Sequence, residues 1–338
     1  MTHSRSNTRP NIVIVPADGE AIAITGGALA YIIRQAGLVK DVRTYSSIIG
    51  VPNDLLVKAL KDAGLAHKKV GVEMGLEQRL NMSVRNYLEL TERLRDVQFV
   101  DASDIIWGLR MIKSEEELGL IKKACEIVRQ GRQKTFREIE IGMTEREIAR
   151  LFAKHMIEKG ADRVSFIHVA AGVPANMTYI FLERKLRRGN VLYLDGGAYF
   201  HTYTCDYSRI AVAGRPTLRQ KHAHMAVRRA SKEMAEALRP GATCADIFMI
   251  GARILKEEGI VETKLEGAGR MGHGQGILIT EPPSISPSDK TVLTPGMVVS
   301  TEPGAEIANG NFVWEDVHVV TEDGSEQLTT ESEEFYEI

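Results

Sequence analysis

Four acidic residues of this 338-residue chain stand where two hairpins would bring them together. The run Val191-Leu192-Tyr193-Leu194 is apolar until it meets Asp195, and the chain returns through Tyr203–Ala213 carrying Asp206. A fold at Phe200/His201 sets Asp195 directly opposite Asp206. A second hairpin runs from Met297 to Glu302, turns near Asn309-Gly310 and returns through Phe312–Val320. A fold at Ala308/Asn309 sets Glu302 opposite Glu315. Directly opposed residues hold their Cβ atoms about 4.5–5.5 Å apart, so each carboxylate pair repels itself. Such a pair persists when one acid is protonated, when a basic residue intervenes, or when a cation binds between them. Any one of these acids is equally an ordinary strand-end residue facing solvent. Two pairs at matching positions of a repeated unit argue for the cation.

A histidine fits the same picture. In Gly272-His273-Gly274-Gln275-Gly276 the glycines let the backbone approach closely and leave the imidazole unobstructed. Four carboxylates and one imidazole make an oxygen-rich set that suits Mn, Co, Fe or Zn better than copper or an iron–sulfur cluster. Two metals sharing these ligands would form a dinuclear hydrolytic arrangement, in which a bridging water is acidified and held for attack.

The elements that must position these residues form a repeat. Gly142–Gly160 aligns without gaps on Gly241–Gly259, pairing Thr144 with Thr243, Ile148 with Ile247 and Ala153 with Ala252. Thr at the N-cap, an acid three residues on (Glu147, Asp246) and a closing glycine are general helix punctuation. Two ordinary helices with similar caps would show as much. A hairpin of the same kind after each helix favours duplication. Ser114 and Glu117 form a further capping box before Leu118, Ile121, Cys125 and Val128 at helical spacing. Ahead of it lies a smaller α/β unit. It has strands at Asn11–Val15 and Ala21–Thr25 joined by the Asp18-Gly19 turn, and helices around Ala28–Ala36 and Asp54–Ala63. Further strands are expected at Lys69–Glu73 and Gln98–Asp101. The expected division is an amino-terminal domain over residues 1–110 and a catalytic domain over residues 111–338.

Composition narrows the class. Lys plus Arg total 43 against 45 Asp plus Glu, a net charge of −2, without the basic excess of a nucleic-acid-binding protein. The chain is 43% hydrophobic and 26% charged, with no apolar run of membrane-spanning length and no signal-peptide pattern at its start. Three scattered cysteines, Cys125, Cys205 and Cys244, do not make a disulfide framework. The expectation is a globular cytoplasmic protein without nucleic-acid or membrane partners.

The motifs Leu194-Asp195-Gly196-Gly197-Ala198, Tyr203–Arg209, Gly272-His273-Gly274, Thr301-Glu302-Pro303-Gly304 and Trp314-Glu315-Asp316 resemble those of the M24 metallopeptidases. That family includes Xaa-Pro aminopeptidases, prolidases, methionine aminopeptidases and the non-peptidase creatinase. The resemblance covers roughly residues 105–338. It implies an α/β (α+β) pita-bread fold, with a shortened creatinase-type amino-terminal domain, a homodimer, and two divalent metals bound by Asp195, Asp206, His273, Glu302 and Glu315. By that analogy Asp195 is bidentate on one metal, Asp206 and Glu315 bridge, and His273 and Glu302 complete the other. A metal-bridged hydroxide would attack a peptide or amide carbonyl with Glu302 as acid/base.

The pattern breaks around this set. Peptidase members carry substrate-binding histidines where this chain has Thr178 or Tyr179, Gly269 and Thr280, and an arginine where it has Val313. Removing one charge-stabilising donor from such a site commonly costs about 10²–10³ in rate. Candidate substitutes are Tyr179, Thr178, Arg270, Thr280 and Glu281, with Tyr203, His168 and His201 near the expected cleft. His222 and His224, two apart on a helix, are expected at the surface. The resulting reading is a hydrolase of Xaa-Pro peptides. The alternatives are a creatinase-like hydrolase or dimethylsulfoniopropionate-lyase-like enzyme of a small amidino, amide or zwitterionic compound, and a catalytically inactive binding module.

Overall fold

The computed structural model describes residues 10–48, 50–173, 183–260, 269–307, 310–330 and 335–338. The chain forms two compact units, residues 1–106 and 107–338.

In the first unit, β1 (Ile12–Ile14) and β2 (Ile22–Gly26) pair antiparallel through Ile12↔Ile24 and Ile14↔Ile22. That register is centred on the expected Asp18-Gly19 turn, where Gly19 takes φ 114°. Helix α1 (Gly27–Ala36) then leads to β3 (Asp41–Tyr45), parallel to β2. Helix α2 (Asn53–Asp62), β4 (Lys69–Val72), α3 (Val84–Arg93) and β5 (Gln98–Asp101) follow, with β4 and β5 paired parallel. Ile14, Ile22, Ile24, Leu56, Leu60 and Leu90 form its core. Helix α4 (Ser103–Met111) closes this stretch.

The second unit repeats one plan. Helices α5 (Glu115–Glu138) and α6 (Glu145–Glu158) precede the antiparallel strands β6 (Arg163–Ala171), β7 (Val191–Phe200) and β8 (Tyr203–Val212). Helices α7 (Leu218–Glu236) and α8 (Cys244–Glu257) precede β9 (His273–Gly274), β10 (Glu281–Ser284) and β11 (Val298–Thr301). Next come β12 (Gly304–Ile307), β13 (Gly310–Val313), β14 (Asp316–Val320), β15 (Ser325–Gln327) and β16 (Tyr336–Glu337). The strand orders are β16-β8-β7-β6, β10-β9-β11-β14-β15 and β12-β13.

Each of α5, α6, α7 and α8 starts with a capping box: Ser114/Glu117, Thr144/Glu147, Thr217/Gln220 and Thr243/Asp246. Each cap fixes where its helix begins and contributes about 1 kcal/mol. The duplication extends to hydrogen bonds. Gly142 N donates to Leu186 O and Leu186 N to Met143 O, both at 2.8 Å. One repeat on, Gly241 N donates to Leu293 O at 3.0 Å and Leu293 N to Ala242 O at 2.8 Å. The two cap threonines make equivalent bridges, Thr144↔Lys185 and Thr243↔Val292. Similar caps alone would not reproduce these bonds.

Two core clusters form, one with Ile121, Ile148, Phe152 and Leu194 and the other with Val227, Ile247, Val299 and Phe312. Each takes strand residues from the opposite half, Val298 and Val317 in the first and Val191 and Tyr193 in the second. His224 belongs to the second core and corrects the surface assignment made for it above. It is buried, stacked on Phe335 with ring centroids 4.5 Å apart and edge-on to Trp314 at 5.4 Å. Two residues apart on a helix do not share a face. His222 is accordingly exposed, beside Glu258, while His224 points inward with Ala223 and Val227. Among the described residues, no helix is long and apolar enough to cross a membrane.

Candidate functional site

The first hairpin turns one residue later than its sequence suggests. Phe200 pairs with Tyr203, so His201 and Thr202 form a two-residue turn in which His201 takes φ 53°. Asp195 therefore faces Ser208, and Asp206 faces Gly197. The direct opposition of Asp195 and Asp206 is thereby corrected to a diagonal. A two-residue hairpin loop needs positive φ at its first position, and histidine tolerates that better than most residues. Because the displacement is two residues, both acids keep the same face of the sheet. A diagonal also leaves more room between the carboxyl groups than direct opposition does.

The second hairpin keeps its expected register. β11 pairs with β14 through Thr301↔Asp316, and β12 pairs with β13 through Gly304↔Val313. Glu302 and Glu315 fall opposite each other in the gap between these two ladders. The turn assigned to Ala308 and Asn309 lies outside the described residues.

His273 enters from β9, bonded through Val299↔Gly274 to β11. Its neighbours must be glycines: a Cβ on Gly272 would lie 2.0 Å from Ser300 O, and one on Gly274 2.3 Å from Pro282 O. His273 Nδ1 is 3.0 Å from the Gly274 carbonyl oxygen, to which it donates. That bond leaves Nε2 as the lone-pair nitrogen, 3.5 Å from Asp206 Oδ2. Burial, and then the charge of Arg270, push the His273 pKa down and favour the neutral imidazole.

One ligand atom from each of Asp206, His273 and Glu315, all buried, lies within 4.8 Å of the others. Asp206 is pushed well above the usual carboxylate range, first by burial and then by the charges of Asp195 and Glu302. Tyr193, wholly buried, has its pKa raised by burial and then by Asp195, Glu302, Glu315 and Asp206, so all four carboxylates bear on one hydroxyl. That hydroxyl donates to Asp195 Oδ2 at 3.0 Å, and His168 Nδ1 is 3.3 Å from the same oxygen. Asp195 Oδ1 and Asp206 Oδ1 are buried without a hydrogen-bond partner. Buried, mutually repelling carboxylates with orphaned oxygens beside a neutral imidazole fit a divalent cation.

The other expected residues separate into groups. Arg270 acts electrostatically on both Asp206 and His273, and its Nη2 donates to Thr280 Oγ1 at 3.3 Å. Glu281 is buried in an ion pair with Arg110, with Lys113 Nζ at 3.9 Å and the Leu278 amide 2.8 Å from its Oε1. Tyr203 is hydrogen-bonded to Glu117, and His201 is exposed at the hairpin turn. Val313 is buried in the core, while Thr178 and Tyr179 lie outside the described residues.

Two members of the site went unread in the sequence. Tyr193 stands two residues before Asp195 on one strand and hence on the same face, a signal that was available. Gln275, whose Oε1 accepts from the Asp206 amide at 2.8 Å, carried no such signal.

The sequence profile of metallopeptidase family M24 matches residues 119–322, and that of the Creatinase/Prolidase N-terminal domain matches residues 4–112. An Xaa-Pro dipeptidase of Pyrococcus furiosus is 33% identical over 265 residues, covering 78% of this chain and 75% of the relative. The X-Pro aminopeptidase of Thermotoga maritima superposes with a TM-score of 0.82 at 26% identity, covering 97% of this chain and 90% of that one. An Xaa-Pro dipeptidase from Bacillus anthracis gives 0.86 at 25% identity, covering 100% and 91%. The expected α/β pita-bread architecture is the one observed.

Proposed function

The chain belongs to metallopeptidase family M24, and on that premise we propose that it cleaves small Xaa-Pro peptides with two divalent metals. Asp195, Asp206, His273, Glu302 and Glu315 would hold them. The observation that carries this reading is the buried convergence of Asp206, His273 and Glu315 within 4.8 Å. When bound, the metals acidify a water and polarise the scissile carbonyl.

The chain's own groups have distinct parts in this reading. Tyr193 and His168 fix the Asp195 carboxylate, and the Gly274 carbonyl fixes the tautomer of His273. Glu302 is half-buried, whereas the other four are buried. It is thus the acid best placed to take a proton from the attacking water and pass it to the leaving amine. Arg270, oriented by Thr280, supplies positive charge where the usual histidines are missing and would stabilise the oxygen on which charge develops. Creatinase-like or lyase chemistry is the less favoured reading, since the relatives are named as peptidases.

The test is hydrolysis of Xaa-Pro di- and tripeptides by Mn- or Co-reconstituted protein, with Glu302→Gln as control. Metal-dependent cleavage that falls about 10²–10⁴-fold in the variant is the expected result. Metal-loaded protein without cleavage, or a variant with undiminished turnover, would overturn the reading.

A further inference from the structure

The first unit contains a cavity of about 940 Å³ that none of the chemistry above uses. Residues 11–18 and residues 68–73 line it as two unbroken runs. Side chains of a strand alternate between its faces, so a cavity lying over a sheet face would be lined by every second residue. Within these runs all of Ile12–Ile14 and all of Lys69–Val72 line the cavity, as consecutive residues do where a cavity meets a strand along its backbone edge. It meets β1 and β4 in this way at once.

Among the described residues, no strand pairs with those edges: β1 pairs with β2 and β4 with β5, and neither has a neighbouring strand on its other side. Lys68 O and Val72 O accept from the Gln98 and Ala102 amides on the β5 side. Strand backbone groups alternate in direction, so the amides of Lys69 and Gly71 face the opposite edge. The β4–β5 pair is itself anomalous. Parallel strands are normally buried on both faces, and two strands alone are marginal in water. Yet none of the eight residues of β4 and β5 is buried, and Val15, just beyond β1, is 57% exposed.

The remaining walls are largely apolar, with Arg79 and Asn81 as polar exceptions, and they back onto the core of the unit. Leu56 and Leu60 of α2, Leu90 of α3, and Leu80, Met82 and Ile106 contribute to them. Among the described residues, two strand edges without a neighbouring strand, between largely apolar walls, match one kind of occupant. An extended backbone satisfies both edges, and side chains alternating to two apolar sides satisfy the walls. A lipid or an aromatic ligand would pair with neither edge.

We propose that this slot between β1 and β4 binds an extended peptide, about five residues long and apolar on both faces, as an added strand that joins the two sheets. The side chains of such a peptide would be those of a central strand rather than an edge strand. This inference is independent of the metal site and of its substrate.

The experiment uses the full chain and the acetylated, amidated peptide KVIVIVK, with KVIPIVK as control because proline removes a ladder donor. Binding by fluorescence anisotropy of a labelled peptide should be at least tenfold weaker for the proline control. Hydrogen exchange should slow at Lys69 and Gly71, and within Ile12–Ile14, when KVIVIVK is present. Lys69→Pro, which deletes one donor at the start of an exposed strand, should weaken binding at least tenfold. Lys69→Ala, which keeps the amide, should bind as the unaltered chain does. The proposal fails if the two peptides bind alike, if Lys69→Pro and Lys69→Ala behave alike, or if protection falls elsewhere. It also fails if those amides are already protected in a self-associated protein without peptide, which would make a second copy the occupant.

Discussion

Arg209 and Asp316 form a buried ion pair, Nη2 to Oδ1 at 2.7 Å, next to Glu315. Arg209 Nη1 donates to the Glu315 carbonyl oxygen, and the guanidinium lies 3.8 Å over the Trp314 ring. Asp316 also accepts from Trp314 Nε1 at 2.6 Å and from Thr329 Oγ1 at 2.7 Å. Residues 314–316 are thus held on one side so that Glu315 can face the other carboxylates.

Arg209→Met is expected to cost about 3–5 kcal/mol in urea denaturation, because it leaves Asp316 buried without its cation. Arg209→Lys should recover only part of that loss, since an ammonium can neither form the two-pronged contact nor stack on Trp314 in the same way. A loss below about 1 kcal/mol in the methionine variant would show that the pair does not organise the strand.

Asp206→Asn separates metal binding from folding. Metal per chain, measured by elemental analysis after reconstitution, should fall. The chelated variant should be at least as stable as the chelated parent, because the substitution removes a buried carboxylate that its neighbours repel. Unchanged metal content would remove Asp206 from the ligand set.

Glu281 and Arg270, which look alike as candidates in the sequence, should behave oppositely. Glu281→Gln removes the ion-pair partner of Arg110 and leaves the buried Lys113 with only Glu117 as counter-charge, and is expected to lose about 3–5 kcal/mol of stability. Lys113 already has its pKa lowered to about 8 by burial despite both carboxylates. Arg270→Ala should leave the denaturation midpoint nearly unchanged while lowering kcat/KM about 10²-fold or more. If Arg270→Ala instead unfolds the protein and Glu281→Gln only slows it, the two roles are reversed.

The contrast between these residues shows what local pattern reveals. The second hairpin was legible because its register runs unchanged through two ladders, from Val298↔Val319 to Ile307↔Gly310. The first was misread by two positions because His201 is not a usual turn residue, and its positive φ is a property of the closed hairpin. Helix starts were legible wherever a cap side chain and an acid stood three residues apart. The inward face of α7 was not, since His224 is buried by Phe335, more than a hundred residues later in the chain. The Arg209–Asp316 pair is equally distant in sequence and left no local trace.

His318 gives a pH dependence whose sign follows from its burial. It lies on β14, paired with Val299 and Gln327, and its Nε2 has no hydrogen-bond partner. Burial lowers its pKa to about 4, with Asp316 acting weakly the other way. Above about pH 6.5, the ordinary histidine value, both folded and unfolded chains carry it neutral, and its contribution to stability is complete. Between there and about pH 4 the unfolded chain takes up a proton that the folded chain refuses. Stability is therefore lost as pH falls through that window, by about 3 kcal/mol at most for this group. His318→Leu cannot take up that proton. Urea denaturation from pH 7 to pH 4 should show a shallower loss in the variant than in the parent, with the two curves diverging below about pH 6.5. Parallel curves would mean that His318 is protonated in the folded protein, and so is not sealed from water.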